Sequence, residues 1–362
     1  LFLIIIYLLN KFNILNFKYF FLIAAISSLI ISLDVIFQYI FGYNIIGIKK
    51  PTIHSSSFFG DELVSGGYIQ RFSFFSILLS ILLFRNKNYF KFISPVIIIC
   101  ITSSAILVSG NRMPLILFTF GILLLFLSKV KIRKILFLSL IISCVLLQFI
   151  ISSDIIIKGA YKSFFLQAKN TFYISNQQFG AKWVKIDNVP DENNIIKQKT
   201  THIHTKWVPQ HRQLFLTAID TWKFNKIFGN GIKSFRIDCG KLGEDPDVNL
   251  QQQLLPDKKQ RLCSNHPHNY YLEILTETGA VGLLVVIIIA LLFTYFFIKY
   301  FRLLDQFSIN NFILLSCIIS FVMEVFPLRS TGSLFTTNNA TYIILVGSII
   351  LCYKKILQIK IE

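Results

Sequence analysis

The feature that most constrains this chain is a series of apolar windows at roughly 19–41, 66–84, 93–109, 114–128, 135–152, 280–298, 308–326 and 339–353. As helices, such windows cross the ~30 Å hydrocarbon layer of a bilayer, although some are short. The run before Asn10 reads as the remnant of another. The expected fold class is therefore an all-α polytopic membrane protein with about nine visible transmembrane helices, the first truncated, and one large, partly helical loop outside the membrane. Composition agrees: 54% of the residues are hydrophobic and mean hydropathy is +0.62, above the ~45–50% apolar content of soluble domains. The chain begins at Leu1 inside an apolar run, so further N-terminal sequence is expected.

The connectors set the expected orientation. Lys11 and Lys18, then Arg85, Lys87 and Lys91, then Lys129, Lys131, Arg133 and Lys134, then Lys299 and Arg302, then Lys354, Lys355 and Lys360 all fall on one side when every window crosses. The positive-inside rule makes that side cytoplasmic. Connectors 42–65, 110–113 and 327–338 then face outward, as does a long polar segment. Three regions follow: an N-terminal transmembrane bundle over 1–152, the outer loop over 153–279 and C-terminal transmembrane helices over 280–362. The formal charge of +18 is dispersed among apolar spans, which argues for a membrane surface and an anionic lipid-linked substrate and against nucleic acid.

The outer segment is too long for a mere connector. Its first part, through Asn176, Asn188, Pro190, Asp191, Glu192, Asn193 and Asn194, reads as polar and turn-rich. Residues 213–228 have loosely helical apolar spacing and stop at Gly229-Asn230-Gly231, a turn or cap signal. Cys239 and Cys263 share this segment, and in an oxidising compartment they can pair.

The segment ends in Asn265-His266-Pro267-His268-Asn269-Tyr270, which runs through Glu273 and Gly279 into the window at 280. Pro267 disfavours helical backbone at His266, so both histidines sit on an extended lead-in. Asn269 is a good N-cap, Glu273 suits the positive end of a helix dipole, and Gly279 suits a C-terminal cap. A short helix over 270–278 is expected, with its N-terminus beside His268 as a site for phosphate oxygens.

Other candidates are cationic. Arg112 lies in Ser109-Gly110-Asn111-Arg112-Met113-Pro114, a tight outward connection, and presents a guanidinium fork at headgroup depth. Arg212 precedes the amphipathic stretch, while Arg236 and Arg329 read as solvated surface charges. Asp34, Gln38, Gln70 and Arg71 lie within windows, where polar groups face a bundle interior or pair with one another, as Asp34 with Arg71. Five of the six histidines, including His202, His204 and His211, lie in the outer segment. No H-x-x-E-H or H-E-x-x-H spacing accompanies them, so no metal site is expected. No Walker-type loop, dinucleotide fingerprint or Gly-x-Ser-x-Gly elbow occurs, and no cofactor is expected.

Taken together, these pieces resemble the O-antigen ligase and polymerase family. The resemblance rests on His268-Asn269 followed by nine residues and Gly279, just before a span, and on Ser109-Gly110-Asn111-Arg112. Arg212 opening a stretch that ends in Gly229-Asn230-Gly231 with Phe235 is similar to the family, as is Phe326-Pro327 with Gly332-Ser333. Asn111 departs from it, standing where a small residue is commoner. The resemblance implies metal-independent, inverting glycosyl transfer from an undecaprenyl-diphosphate-linked glycan to a hydroxyl acceptor such as the lipid A core. It places the protein in the bacterial inner membrane with its large loop periplasmic. It further implies that Arg112 and Arg212 hold the diphosphate and that His268 activates the acceptor, with Asn269, His266, Arg71 and Gly279 completing the substrate-binding set. Cations aimed at a leaving diphosphate and a base tunable near neutrality suit that chemistry. A polymerase of repeat units or a protein O-oligosaccharyltransferase shares the same motifs. From another class, a small-anion transporter of bicarbonate type remains, although no Gly/Pro-broken helix pair supports it.

Overall fold

The structure, a computed structural model, describes residues 2–12, 14–51, 54–87, 89–127, 133–172, 180–190, 196–206, 210–242, 262–301, 308–330 and 332–358. Asn176, Asp191, Glu192, Asn193 and Asn194, and Lys129, Lys131, Arg302 and Lys360 of the orienting cations, lie outside the described residues.

Each apolar window coincides with a helix. In order these are α1 (Phe2–Lys11), α2 (Phe17–Phe41), α3 (Ser65–Leu83), α4 (Phe90–Val108), α5 (Arg112–Leu127) and α6 (Arg133–Ser153). There follow α7 (Ile155–Phe172), strands β1 (Gly180–Pro190) and β2 (Ile196–Lys206), α8 (Gln210–Trp222), α9 (Phe235–Lys241), α10 (Tyr270–Phe301), α11 (Ile309–Glu324) and α12 (Thr337–Gln358). Among the described residues, five helices are long and apolar enough to cross a membrane: α2, α3, α4, α6 and α10 through Tyr295. The helices Arg112–Leu127, Ile309–Glu324 and Thr337–Tyr353 are apolar and shorter.

The chain divides into two compact units. The first comprises Leu1–Phe164, Ile287–Arg329 and Thr336–Glu362; the second comprises Phe165–Val286 and Ser330–Phe335.

In the first unit α3 is central, packing against α2, α4, α5 and α11. Its Ile69, Phe74, Phe75, Ile77 and Leu78 are fully buried. Small serines let the helices approach closely and donate across to neighbouring backbones. Ser76 Oγ donates to Ala25 O at 2.6 Å, and Ser316 Oγ to Phe74 O at 3.3 Å.

Two expectations about polar groups in this unit are corrected. Asp34 does not pair with Arg71. It accepts from the Ser57 hydroxyl and from Ile45 N at 2.9 Å, and Gln38 accepts from Ser57 N at 2.8 Å, so both acceptors fold the 44–57 connector back onto α2. A short loop supplies these donors more cheaply than a second ion, because it brings backbone amides that need partners. Arg71 instead meets Glu324 of α11, bidentately, with Nε at 2.8 Å and Nη2 at 2.7 Å, and also donates to Asn339 at 2.6 Å. Arg329 is the second correction, because it is 7% exposed rather than solvated and donates to the same fully buried Glu324. A carboxylate inside an apolar helix needs such partners.

The stretch after Ser153 contains structure that its composition did not announce. Asp154 caps α7, accepting from Ile156 N at 2.8 Å and Ile157 N at 3.0 Å, and Tyr39 holds the other carboxylate oxygen at 2.8 Å. Farther on, β1 and β2 form an antiparallel hairpin in register from Gly180 opposite Lys206 to Pro190 opposite Ile196.

In the second unit, Ala218 of α8 and Phe235 and Cys239 of α9 form a small core, with Leu272 packed against it. The amphipathic helix ends at Trp222, earlier than the expected 228, because turns follow: Trp222 Nε1 donates to Lys226 O and Gly229 N to Asn225 O. Cys239 and Cys263 are disulfide-bonded, with Cα atoms 5.4 Å apart.

Candidate functional site

Residues 264–281 are placed by backbone devices. Asn269 Oδ1 accepts from Tyr271 N at 3.0 Å and Leu272 N at 3.2 Å, which makes it the N-cap of α10 as its residue type requires. The preceding His268 has φ 57, in the left-handed region. A side chain there is uncommon and costs about 1 kcal/mol or more, and such strain gathers at functional sites. His266 lies beside His268 with the rings tilted and 4.2 Å between centroids, and His211, on the first turn of α8, meets it edge-on at 6.0 Å. Arg212 follows His211 directly on that turn. The structure thus gathers His211, His266, His268 and Asn269 into one cluster on the α8 and α10 N-termini. Among the described residues, no group of three or more His, Cys, Asp or Glu is arranged to hold a metal ion.

The other end of this short helix is clasped by the loop after α8. Asn230 N donates to Thr276 O at 3.0 Å and Gly231 N to Glu277 O at 2.9 Å, satisfying carbonyls that a helix end leaves open. Ala280 N and Val281 N reciprocate by donating to Lys226 O and Ile227 O at 2.9 and 3.2 Å. Gly279, with φ 69 and ψ −168, breaks the helix where the sequence places the cap. A Cβ there would lie 2.2 Å from Ile227 O, and one on Gly229 would lie 2.4 Å from the Glu277 carbonyl carbon, so both glycines are needed for the close crossing.

Two buried carboxylates complete the clasp. Glu277 accepts from Lys233 N at 2.6 Å, and Glu273 accepts from Leu334 N at 2.6 Å and from the Ser333 hydroxyl. Glu273, expected as a partner of the helix dipole, is thus a tether for the 330–335 segment as well.

The first unit carries Arg112. Gly110 has φ 77 and a Cβ on it would overlap His54 Nδ1, which lies 3.2 Å from Ser109 O. Asn111, the departure from the family pattern, is a staple: its Oδ1 accepts from Gly66 N at 3.0 Å and its Nδ2 donates to Leu63 O at 2.9 Å. Arg112 then starts α5. Its Nε is buried without a hydrogen-bond partner among the described residues, and so is the hydroxyl of Tyr161. The Arg112 charge reaches both His54 and Tyr161. His54 is held below its ordinary pKa, first by burial and then by Arg112 and Lys50 despite its bond to Ser109, while burial pushes the Tyr161 phenol up. A cation with an unsatisfied donor beside a neutral imidazole and a phenol can bind a multi-oxygen anion. Gln70, expected to face a bundle interior, is fully buried, with neither amide atom hydrogen-bonded among the described residues.

The seven sequence-derived candidates therefore fall into two groups: Arg71 and Arg112 in the first unit, and Arg212, His266, His268, Asn269 and Gly279 in the second. Sequence reasoning missed His54, Tyr161 and Glu324 in the first unit, and the roles of His211 and Glu277 in the second. Glu324 had a signal, being a carboxylate inside an apolar window.

Comparison with known proteins gives one family match. The model described as O-Antigen ligase covers residues 97–287, more than half of the chain, from α4 through the histidine turn. No curated protein matches the chain.

Proposed function

The chain belongs to the O-antigen ligase family, and from that premise we propose that it joins a glycan carried on undecaprenyl diphosphate to a hydroxyl of the lipid A core at the outer face of the inner membrane. The acceptor oxygen attacks the anomeric carbon while the bond from that carbon to the diphosphate oxygen breaks. Undecaprenyl diphosphate leaves with the electron pair, and the configuration inverts. His268 takes the acceptor proton as the new bond forms. Arg112 and Arg212 bind the diphosphate and oppose the charge that grows on it. Arg71 shares Glu324 with Arg329, so that cluster keeps a net positive charge and draws the anionic carrier at longer range.

The observation that carries this reading is the backbone of His268. A histidine in left-handed conformation, directly before a capped helix and against two other imidazoles, is placed at an energetic cost that packing alone does not call for. Asn269 and Gly279 hold the two ends of that helix, and His266 sets the direction of the His268 ring.

The test reconstitutes the protein in liposomes with undecaprenyl-diphosphate glycan and lipid A core, and follows the product by gel mobility for the parent and for His268→Ala. Conjugate made only by the parent is the expected result. Glycan that lengthens on its carrier replaces this reading with a polymerase. No transfer to either acceptor overturns it in favour of a protein acceptor or of anion transport.

A further inference from the structure

Between α8 and α9 the outer unit exposes an unusual run of large apolar side chains. Phe224 is 50% exposed, Ile227 60%, Phe228 72% and Ile232 65%, and Ile237 on α9 follows at 66%. Soluble surfaces seldom place so many together. Cations are interleaved with them: Lys223, Lys226, Lys233 and Arg236 are all exposed. The segment is also tied in height to the apolar run that begins at Ala280, because the carbonyls of Lys226 and Ile227 accept from Ala280 N and Val281 N. At the crossing of Gly229 and Gly279 the two backbones are too close to admit a Cβ, so the segment lies directly against the start of that run.

We propose that residues 223–237 form a membrane-surface contact that lowers Phe224, Ile227, Phe228 and Ile232 into the headgroup and upper acyl region of the outer leaflet. Lys223, Lys226, Lys233 and Arg236 meet the phosphates of anionic lipids there. Two independent features point to lipid rather than to a protein partner. The carbonyls of Lys226 and Ile227 are bonded to the first residues of a predicted span, which puts the exposed side chains at bilayer depth. The alternation of apolar and basic residues matches the composition of interfacial segments, whose apolar groups bury while lysines and arginines reach the headgroups. The carrier's diphosphate also sits at headgroup level, so the contact keeps the histidine turn, joined to it through Asn230 and Gly231, at the depth where an isoprenoid-linked substrate presents its sugar. That last consequence rests on the reading above, whereas the membrane contact does not.

The test places a fluorophore at the centre of the patch. Phe228→Trp is made in full-length protein whose Trp183, Trp207 and Trp222 are replaced by Phe, and the protein is reconstituted at low density in phosphatidylglycerol-containing liposomes. Emission is expected to be quenched at least two-fold by lipids brominated near the headgroup and to be nearly insensitive to aqueous iodide. Replacing phosphatidylglycerol by phosphatidylcholine, or changing Lys223, Lys226 and Lys233 to Gln, is expected to weaken the bromine effect. Strong iodide quenching with no bromine effect overturns the proposal. So does protection that appears only at high protein density, which would mean that a second copy covers the patch. If the tryptophan-replaced protein fails to fold, 4-fluorophenylalanine at 228 in the otherwise native chain gives the same decision from its relaxation by doxyl lipids against aqueous gadolinium. None of these readouts requires glycan transfer, so the contact can stand if the catalytic reading falls, and the reverse.

Discussion

The Arg71 cluster and the histidine turn are both polar assemblies at helix ends, and they are held by opposite means. Arg71, Glu324, Arg329 and Asn339 meet one another's hydrogen-bonding demands across α3, α11 and α12, so their charges lock helices together. The histidine turn is held by main-chain devices: an N-cap, a left-handed residue and a glycine crossing. Its imidazoles lie against each other, with ring centroids 4.2 and 6.0 Å apart. Where side chains are consumed in positioning, removing one damages the fold. Where the backbone does the positioning, a side chain can be removed with loss of chemistry alone.

The largest effect expected from that contrast is at His268. Changing it to Gly should lower glycan transfer by roughly 10²–10⁴-fold, the usual share of a general base. Thermal stability in detergent should hold or rise by up to about 1 kcal/mol, since Gly accepts φ 57 without strain. A variant that unfolds instead would put His268 on the structural side of the comparison. Next is Glu324→Gln, which leaves the buried Arg329 and the partly buried Arg71 without their carboxylate and should destabilise by about 3–5 kcal/mol, read as lost folded yield and lowered Tm. An unchanged Tm would break the assignment of that cluster to stability. Gly279→Ala follows, at roughly 1–3 kcal/mol of backbone strain. Transfer should fall with it, because the added Cβ meets Ile227 O and shifts the helix that carries the histidine turn. A variant with native Tm and native transfer would show that the crossing is not needed.

The smallest effect concerns pH. His54 has its pKa lowered by burial and by the Arg112 and Lys50 charges, against the opposing pull of its bond to Ser109. Above its ordinary value of about 6.5 it is neutral in both folded and unfolded chains and does not affect the balance. As pH falls below that value the unfolded chain takes up the proton first, so stability is lost until the folded pKa is also passed. Unfolding curves of the parent should therefore slope downward below about pH 6.5 more steeply than those of His54→Gln. Equal slopes would remove His54 from the Arg112 site.

Much of this could be read from the chain, and the boundary of legibility is physical. Helix windows were readable because hydrophobic runs are local, and the Asn269 cap and the Gly279 break were readable because each follows from one residue type in a short span. The partners of Arg71 were not, because Glu324 lies 253 residues away and nothing in periodicity carries pairing over that distance. The family description matched over residues 97–287 agrees with the resemblance drawn from the histidine and Ser-Gly-Asn-Arg motifs. His211 was overlooked because its importance comes from meeting His268 in space, 57 positions on. The helix after Asp154 escaped notice because the stretch reads as polar and turn-rich, although Asp is an N-cap residue type and its Oδ1 accepts from Ile156 N and Ile157 N. The hairpin of β1 and β2 pairs two polar strands, which give only a weak alternation to find.

The bond between Cys239 and Cys263 has a consequence for biogenesis. A disulfide of this kind closes only once both thiols have reached an oxidising compartment. Both precede the apolar run at 280, so closure can occur while the remaining helices are still being synthesised. It therefore acts as a timestamp: trapping free thiols in pulse-labelled nascent chains of increasing length, and reading their mobility without reductant, dates the moment at which both cysteines meet an oxidising environment.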